Sequence, residues 1–234
     1  DVGTSLEGMN YVQRTTNYVV GTVKSGGDPS PVTATGVFCG IEAAIHQIHG
    51  TDATLKGRRV AVQGLGQVGR ALCVLLSEAG AQLVVSDIER ASLDRAKSLI
   101  QAEVVDPDKI YEQDADVFAP CALGGVLNPD TIPRLNSGIV AGSANNQLLA
   151  PEDGQRLHER GILYAPDYVT NSGGLINVAQ ELAPEGYDRE ATMIKVRGIG
   201  RTLQQIFREA KREQRPTAEI ADRIAEKRLV DTGD

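Results

Sequence analysis

The sequence predicts an α/β protein: a doubly wound parallel sheet of about six strands, followed by a C-terminal helical extension. Three observations predict it. Short apolar runs alternate with helical repeats between Val60 and Ala165. A glycine-spaced turn, Gly64-Leu65-Gly66-Gln67-Val68-Gly69, joins the first run to the first repeat. Beyond Gly174 the strand-like runs stop and only helical periodicity remains.

Residues 1–32 are poor in core-forming patterns and rich in Gly, Thr, Ser and Asn; they read as an inter-domain segment. A short helix over Ser5 to Val12 precedes a loop through Gly26-Gly27-Asp28-Pro29-Ser30-Pro31. From Thr33 to His49, Val37, Ile41, Ala44, Ile45 and Ile48 recur at helical spacing, and Gly50 ends the run. His46 and His49 lie three apart on that helix. With no third ligand evident they read as solvated or capping histidines, so no metal is assigned.

The central unit runs from Arg58 to Asp87. Val60 to Val62 suits a buried parallel strand. Val68, Leu72, Leu75 and Leu76 form a helix that Gly80 stops, and Leu83 to Val85 make a second strand with Asp87 at its carboxyl end. Further on, a helix is expected over Leu93 to Ile100 and a strand over Glu103 to Val105. Asp116 to Cys121 is a strand and Thr131 to Leu135 a brief helix. Gly138 to Ala141 is a strand, Pro151 to Arg160 a helix, and Ile162 to Ala165 the last strand. A helix follows Asn171-Ser-Gly-Gly174 and closes at Val178 to Leu182. Val196, Ile199, Leu203, Ile206, Phe207 and Ala210 stripe a long amphipathic helix that Pro216 breaks; Thr217 is placed to cap the next one. The expected units are 1–32, a nucleotide-binding domain over 33–184, and C-terminal helices over 185–234.

Ligands of doubly wound sheets bind outside the carboxyl ends of the strands. The stretches 64–69, 121–125, 142–146 and 171–174 all fall at that edge, so one edge carries the site. Gly64 permits a tight strand-to-helix turn, Gly66 lets a pyrophosphate lie against bare backbone, and Gly69 lets helix and strand close. Asp87 would accept hydrogen bonds from ribose hydroxyls and repel a 2′-phosphate, which favours NAD over NADP; Arg90 keeps NADP open. The net charge of −7 and the lack of a Lys/Arg block argue against nucleic acid and against a polybasic membrane patch. No bilayer-spanning run or signal peptide pattern occurs. Cys39, Cys73 and Cys121 are odd in number and too far apart for a zinc motif, so they read as reduced cytoplasmic thiols. The chain opens on Asp1 rather than Met, which reads as a terminus other than a translation start.

Several stretches carry a resemblance. They are Asp1-Val-Gly-Thr4, Pro29-Ser-Pro-Val-Thr33-Ala, Gly64 to Gly69, Ala119-Pro-Cys-Ala-Leu-Gly124, Ala144-Asn-Asn-Gln-Leu148 and Tyr164 through Asn171-Ser-Gly-Gly to Val178. Together they resemble the glutamate/leucine/phenylalanine/valine dehydrogenase family, nearest to its leucine-type members, along essentially the whole chain. The resemblance implies a Rossmann NAD-binding domain and the interconversion of an L-amino acid with its 2-oxo acid and ammonia. An aliphatic substrate is expected, with a phenylalanine-preferring enzyme or a non-catalytic NAD module as alternatives. The family's lysine-bearing catalytic domain has no counterpart here, so the chain resembles the cofactor portion of a longer enzyme that is a homo-oligomer.

By the same resemblance Asp1 matches the catalytic aspartate. Asn145 matches an asparagine near the nicotinamide and the substrate amino group. Thr33, Cys121, Ala122, Ala144 and Asn146, with Gly64, Leu65, Gly66, Gln67, Val68, Gly69 and Asp87, match cofactor-lining positions. Leu175 and Val178 match the side-chain pocket, and being uncharged they suit an aliphatic substrate; Ser172 stands where the family has alanine. By chemistry alone Thr33 also reads as a helix cap, Cys121 as a packed thiol and Asn145 as a turn former, although the place of Asn145-Asn146 at a strand's carboxyl end favours function; Leu175 and Val178 read equally as core residues.

Overall fold

The computed structural model describes residues 5–16, 18–22 and 27–231. Asp1, matched to the catalytic aspartate, lies outside the described residues. The chain begins with α1 (Leu6–Gln13), where the Ser5 side chain accepts from the Gly8 amide at 3.0 Å. Then come α2 (Ser30–His49), β1 (Arg59–Gln63), α3 (Gln67–Glu78), β2 (Gln82–Ser86), α4 (Arg90–Lys97) and β3 (Ala102–Val104). They are followed by β4 (Ala115–Pro120), β5 (Ser137–Val140), α5 (Glu152–Glu159), β6 (Leu163–Tyr164), α6 (Asp167–Thr170), α7 (Gly173–Glu181), α8 (Arg189–Glu213) and α9 (Thr217–Asp231).

The six strands pair in parallel in the order β3-β2-β1-β4-β5-β6. Val62 pairs with Val85 on one side and Ala119 on the other. The sheet therefore winds outward in opposite senses from the β1–β4 boundary, which opens a crevice at the carboxyl ends of those strands. Side chains alternate across the sheet. Val60, Val62, Val117 and Ala119 face the core shared with α2, α3 and α8, whereas Ala61, Phe118, Val140 and Tyr164 face the layer holding Ile110, Ile132 and Leu157. Both faces are covered, as a parallel sheet requires. No helix among the described residues is long and apolar enough to cross a membrane.

Local geometry moves several expected boundaries. The helix placed over Leu93 to Ile100 is α4, beginning at Arg90 because Glu89 is the extended residue at its start; Ile100 is buried in the turn after it. The strand placed over Glu103 to Val105 is shifted by one residue, although the Val105 amide still donates to the Val85 carbonyl at 3.0 Å. Ile162 to Ala165 shrinks to the two residues of β6, and Thr131 to Leu135 is a 3₁₀ turn over Ile132–Arg134. A second 3₁₀ turn, Pro107–Glu112, and α6 have no periodicity to announce them. Thr217 is the first residue of α9, and its hydroxyl donates to the Tyr164 carbonyl at 2.6 Å, tying the last helix to the last strand.

α2 begins at Ser30, so the division after residue 32 falls inside a helix. α8 belongs to the same hydrophobic core as α2, through Val196, Ile199, Leu203, Ile206 and Phe207. The two helices meet closely where they lack side chains: a Cβ on Gly200 would sit 3.2 Å from the Cys39 carbonyl oxygen, and one on Gly36 2.7 Å from Ile199 Cδ1.

Candidate functional site

The turn from β1 to α3 sits at the crevice. Gly64 has φ +94°, a conformation costly for any L side chain, and its amide donates to the Ser86 carbonyl at 2.8 Å. A Cβ on Gly69 would lie 2.0 Å from the Gly64 carbonyl oxygen, so only glycine lets α3 start this close to its own strand. Gly66 differs. It is exposed, it precedes the first residue of α3, and a Cβ there would meet nothing within 4 Å. No side chain caps α3, so the amides of Gln67, Val68 and Gly69 lack the partners that later helix residues have. The result is a set of N–H donors and a partial positive charge beside open space, the arrangement that takes a phosphate. Leu65 is fully buried beneath the turn, Val68 packs on the core, and the side-chain oxygen Oε1 of the exposed Gln67 accepts from the Arg70 guanidinium.

Asp87 lies one residue beyond β2. Its Oδ2 accepts from the Leu65 amide at 2.6 Å and its Oδ1 from the Glu89 amide at 2.7 Å. The carboxylate therefore braces the glycine turn as well as facing a cavity of about 390 Å³ lined by Leu93, Val104, Val105, Asp106, Pro107 and Lys109. That cavity, at the carboxyl ends of β2 and β3, has the size of a small-ligand site. Its members beyond Asp87 carry no shared sequence signal, because they come from α4, the end of β3 and the 3₁₀ turn that follows.

On the other side of the boundary, the loops after β4 and β5 meet. The Cys121 amide donates to the Gln63 carbonyl at 2.7 Å, and the Ala144 amide to the Pro120 carbonyl at 3.0 Å. Burial raises the Cys121 thiol pKa, and hydrogen bonding with Ser143 offsets part of the rise. The thiol is thus held neutral, which fits a packed lining residue rather than a nucleophile. Ala122 is exposed and Ala144 buried; Asn145 and Asn146 project as exposed residues of the turn. Asn145 Oδ1 accepts from Asn171 Nδ2 at 2.6 Å, and the same amide reaches the Ser143 carbonyl at 3.2 Å.

Thr33 is in the first turn of α2, not at its cap; its hydroxyl donates to the Pro29 carbonyl at 3.0 Å. It touches the start of α7, where a Cβ on Gly174 would lie 2.6 Å from its hydroxyl oxygen. That contact brings α7 to the crevice. Leu175 on α7 is 72% exposed, which removes the reading of it as a core residue, and Val178 is half-buried. The structure thus gathers the glycine turn, Asp87, Cys121, Ala122, Ala144, Asn145 and Asn146 on one edge. Asn171 joins them through Asn145, although its spacing from Asn145 carries no periodic signal.

A parallel sheet in this strand order, with a glycine turn opening onto an uncapped helix, defines a Rossmann-type α/β domain. The model of the glutamate/leucine/phenylalanine/valine dehydrogenase family matches residues 27–91 and 86–232, and the chain belongs to that family. It is 50% identical over 232 residues to a leucine dehydrogenase of Thermoactinomyces intermedius, covering 98% of this chain and 63% of that protein. It is 46% identical over 230 residues to an L-tryptophan dehydrogenase of Nostoc punctiforme, covering 98% and 64%. The crystal structure of an L-tryptophan dehydrogenase from Nostoc punctiforme superposes with a TM-score of 0.83 at 48% identity, over 87% of this chain and 61% of that one. The chain therefore spans under two thirds of the length of these relatives.

Proposed function

We propose that the chain is the cofactor-binding part of an NAD-dependent L-amino-acid dehydrogenase, which deaminates an aliphatic, leucine- or valine-type substrate to its 2-oxo acid. The observation that carries the reading is the bare cradle at Gly66, where the space a Cβ would fill adjoins the uncapped amides of α3. The residues present fit NAD: backbone amides of Gln67, Val68 and Gly69 for its pyrophosphate, Asp87 for the adenosine ribose, and Thr33, Cys121, Ala122, Ala144 and Asn146 along the remaining lining. When bound, NAD supplies the hydride acceptor for the substrate Cα.

The chain's own residues divide the rest of the work. Asn145, its side-chain oxygen fixed by Asn171, keeps its amide N–H groups for a neighbouring carbonyl. Leu175 and Val178 offer an apolar wall that favours an aliphatic side chain and disfavours a carboxylate. Asp1 is proposed as the proton carrier, in concert with lysines of an upstream domain. Free thiols at Cys39, Cys73 and Cys121 suit a cytoplasmic enzyme, and the full-length protein is proposed to be a homo-oligomer.

The test has two arms. Calorimetric titration of the chain is expected to show NAD binding more tightly than NADP, and equal or tighter NADP binding would sink the cofactor choice. Assays with NAD and L-leucine, L-valine or L-phenylalanine are then run on the chain alone and on the chain joined at Asp1 to a relative's upstream domain. Turnover is expected only from the joined protein, fastest with L-leucine or L-valine. Positioning of two reactants supplies roughly 7–11 kcal/mol of a barrier, and one wall of a cleft does not supply it. Comparable turnover by the chain alone would overturn the division of roles.

A further inference from the structure

We propose that Gln147 is a positioning residue for the nicotinamide end of the cofactor crevice, acting by holding the turn that carries Asn145. The proposal rests on the NAD reading above. With the phosphate cradle at α3 and the adenosine cavity beside β2 and β3, the other end of a dinucleotide falls at the loops after β4 and β5. Asn145 and Asn146 are the exposed residues of the second loop.

That turn is under strain. Asn146 has φ +51°, in the left-handed region, and such a residue persists only where its surroundings over-determine it. Gln147, fully buried, supplies much of the restraint. Its Nε2 donates to the Ala144 carbonyl at 3.0 Å, closing the turn from beneath. Its backbone amide donates to Asp167 Oδ2 at 3.3 Å, and its carbonyl accepts from the Leu127 amide at 2.9 Å. The Asn146 carbonyl accepts from the Gly125 amide at 2.7 Å, so the loops after β4 and β5 are laced together at successive residues.

One atom shows that this arrangement is not the most stable available. Gln147 Oε1 is buried with no hydrogen-bond partner, and an unpaired buried acceptor costs stability. An apolar side chain of equal length would remove that cost at the expense of the Ala144 carbonyl's donor. Gln147→Met therefore separates stability from function: its melting temperature is expected to match the parent's, while the Asn145 turn loosens.

The readout compares two ligands. ADP-ribose carries the adenosine and pyrophosphate but lacks the nicotinamide, whereas NADH carries both. Calorimetry is expected to show parent-like ADP-ribose affinity in Gln147→Met and a roughly tenfold loss for NADH, on the scale of one hydrogen bond. The fluorescence change of NADH on binding is expected to shrink in parallel. Asp167→Ala, which removes the acceptor for the Gln147 amide, serves as a second variant and is expected to show the same selective loss. Failure of the parent to bind ADP-ribose would overturn the NAD reading itself. Parent-like NADH binding in both variants, or equal loss of both ligands with a lowered melting temperature, would overturn the role given to Gln147 while leaving that reading in place.

Discussion

Gly66→Ala and Gly69→Ala place the same methyl group three residues apart and should fail in opposite ways. At Gly66 the methyl enters open space, with no atom within 4 Å, and the backbone there, φ −62° and ψ −164°, is accessible to alanine. Alanine is a poorer residue than glycine at a helix start, but it restricts the unfolded chain, and the two effects of about 1 kcal/mol each nearly cancel. Stability should barely move. The methyl does occupy the space proposed for the pyrophosphate. Losing one charge-assisted bond from the α3 amides costs about 1.5–3 kcal/mol, or roughly 10- to 150-fold in affinity. At Gly69 the methyl would stand 2.0 Å from the Gly64 carbonyl oxygen, so backbone must move by more than an ångström. Overpacking of that kind costs about 1–3 kcal/mol, and at about 2–4 °C per kcal/mol the melting temperature should drop by roughly 2–12 °C. Thermal melts and NAD or ADP-ribose titrations on both variants decide the matter. Full NAD affinity in a stable Gly66→Ala protein would show that the pyrophosphate does not lie at α3, and the reasoning from the open cradle would be refuted.

The remaining predictions concern charge. Asp87→Ser should narrow the preference for NAD over NADP, by removing the carboxylate proposed to repel a 2′-phosphate; it should also lower the melting temperature, because one shorter hydroxyl oxygen replaces the two carboxylate oxygens that accept from the Leu65 and Glu89 amides. An unchanged cofactor ratio would shift the discrimination to another residue. Glu42, on the packed face of α2, has its pKa raised by burial, with His46 opposing the rise. A group whose folded pKa is raised adds stability at low pH that is lost as pH rises through the folded value. Glu42→Gln should therefore raise the melting temperature near pH 7.5, with the gain fading toward about pH 4, the ordinary glutamate range. A gain that does not depend on pH would point to packing instead of charge.

How far the fold can be read from the chain depends on the reach of each interaction. The β1-α3-β2 unit is legible because every determinant is local: a short apolar run of valines, three glycines at fixed offsets, the helical repeat of Val68, Leu72, Leu75 and Leu76, and Gly80, which sits at φ +82° just past the end of α3. The strand order follows from that unit and the alternation after it. Helix starts were less legible. α2 begins on Ser30 rather than Thr33 because Pro29 and Pro31 favour the first turn whatever the hydrophobic pattern does. The site divides in the same way. The glycine turn is one continuous motif, whereas the Asn171–Asn145 bond spans 26 residues and the cavity beside Asp87 draws on α4, β3 and the 3₁₀ turn after it. The second role of Asp87, bracing Leu65 from 22 residues away, is visible only once β1 and β2 lie side by side.

The glycine seam between α2 and α8 has a mechanical consequence. Where two helices touch through long side chains, rotamers absorb small tilts; where backbone meets backbone at Gly200 and the Cys39 carbonyl, there is nothing to absorb them. The 25 residues of α8 extend about 37 Å at 1.5 Å per residue. Locked to α2, this helix works as a rigid beam whose far end travels with the sheet. Turning the pair by about 5° about the Gly200 contact would move Glu213, 13 residues and about 20 Å further along α8, by roughly 2 Å. α8 is therefore a pointer fixed to α2, and a label near Glu213 would report angular motions of the α2–α8 pair.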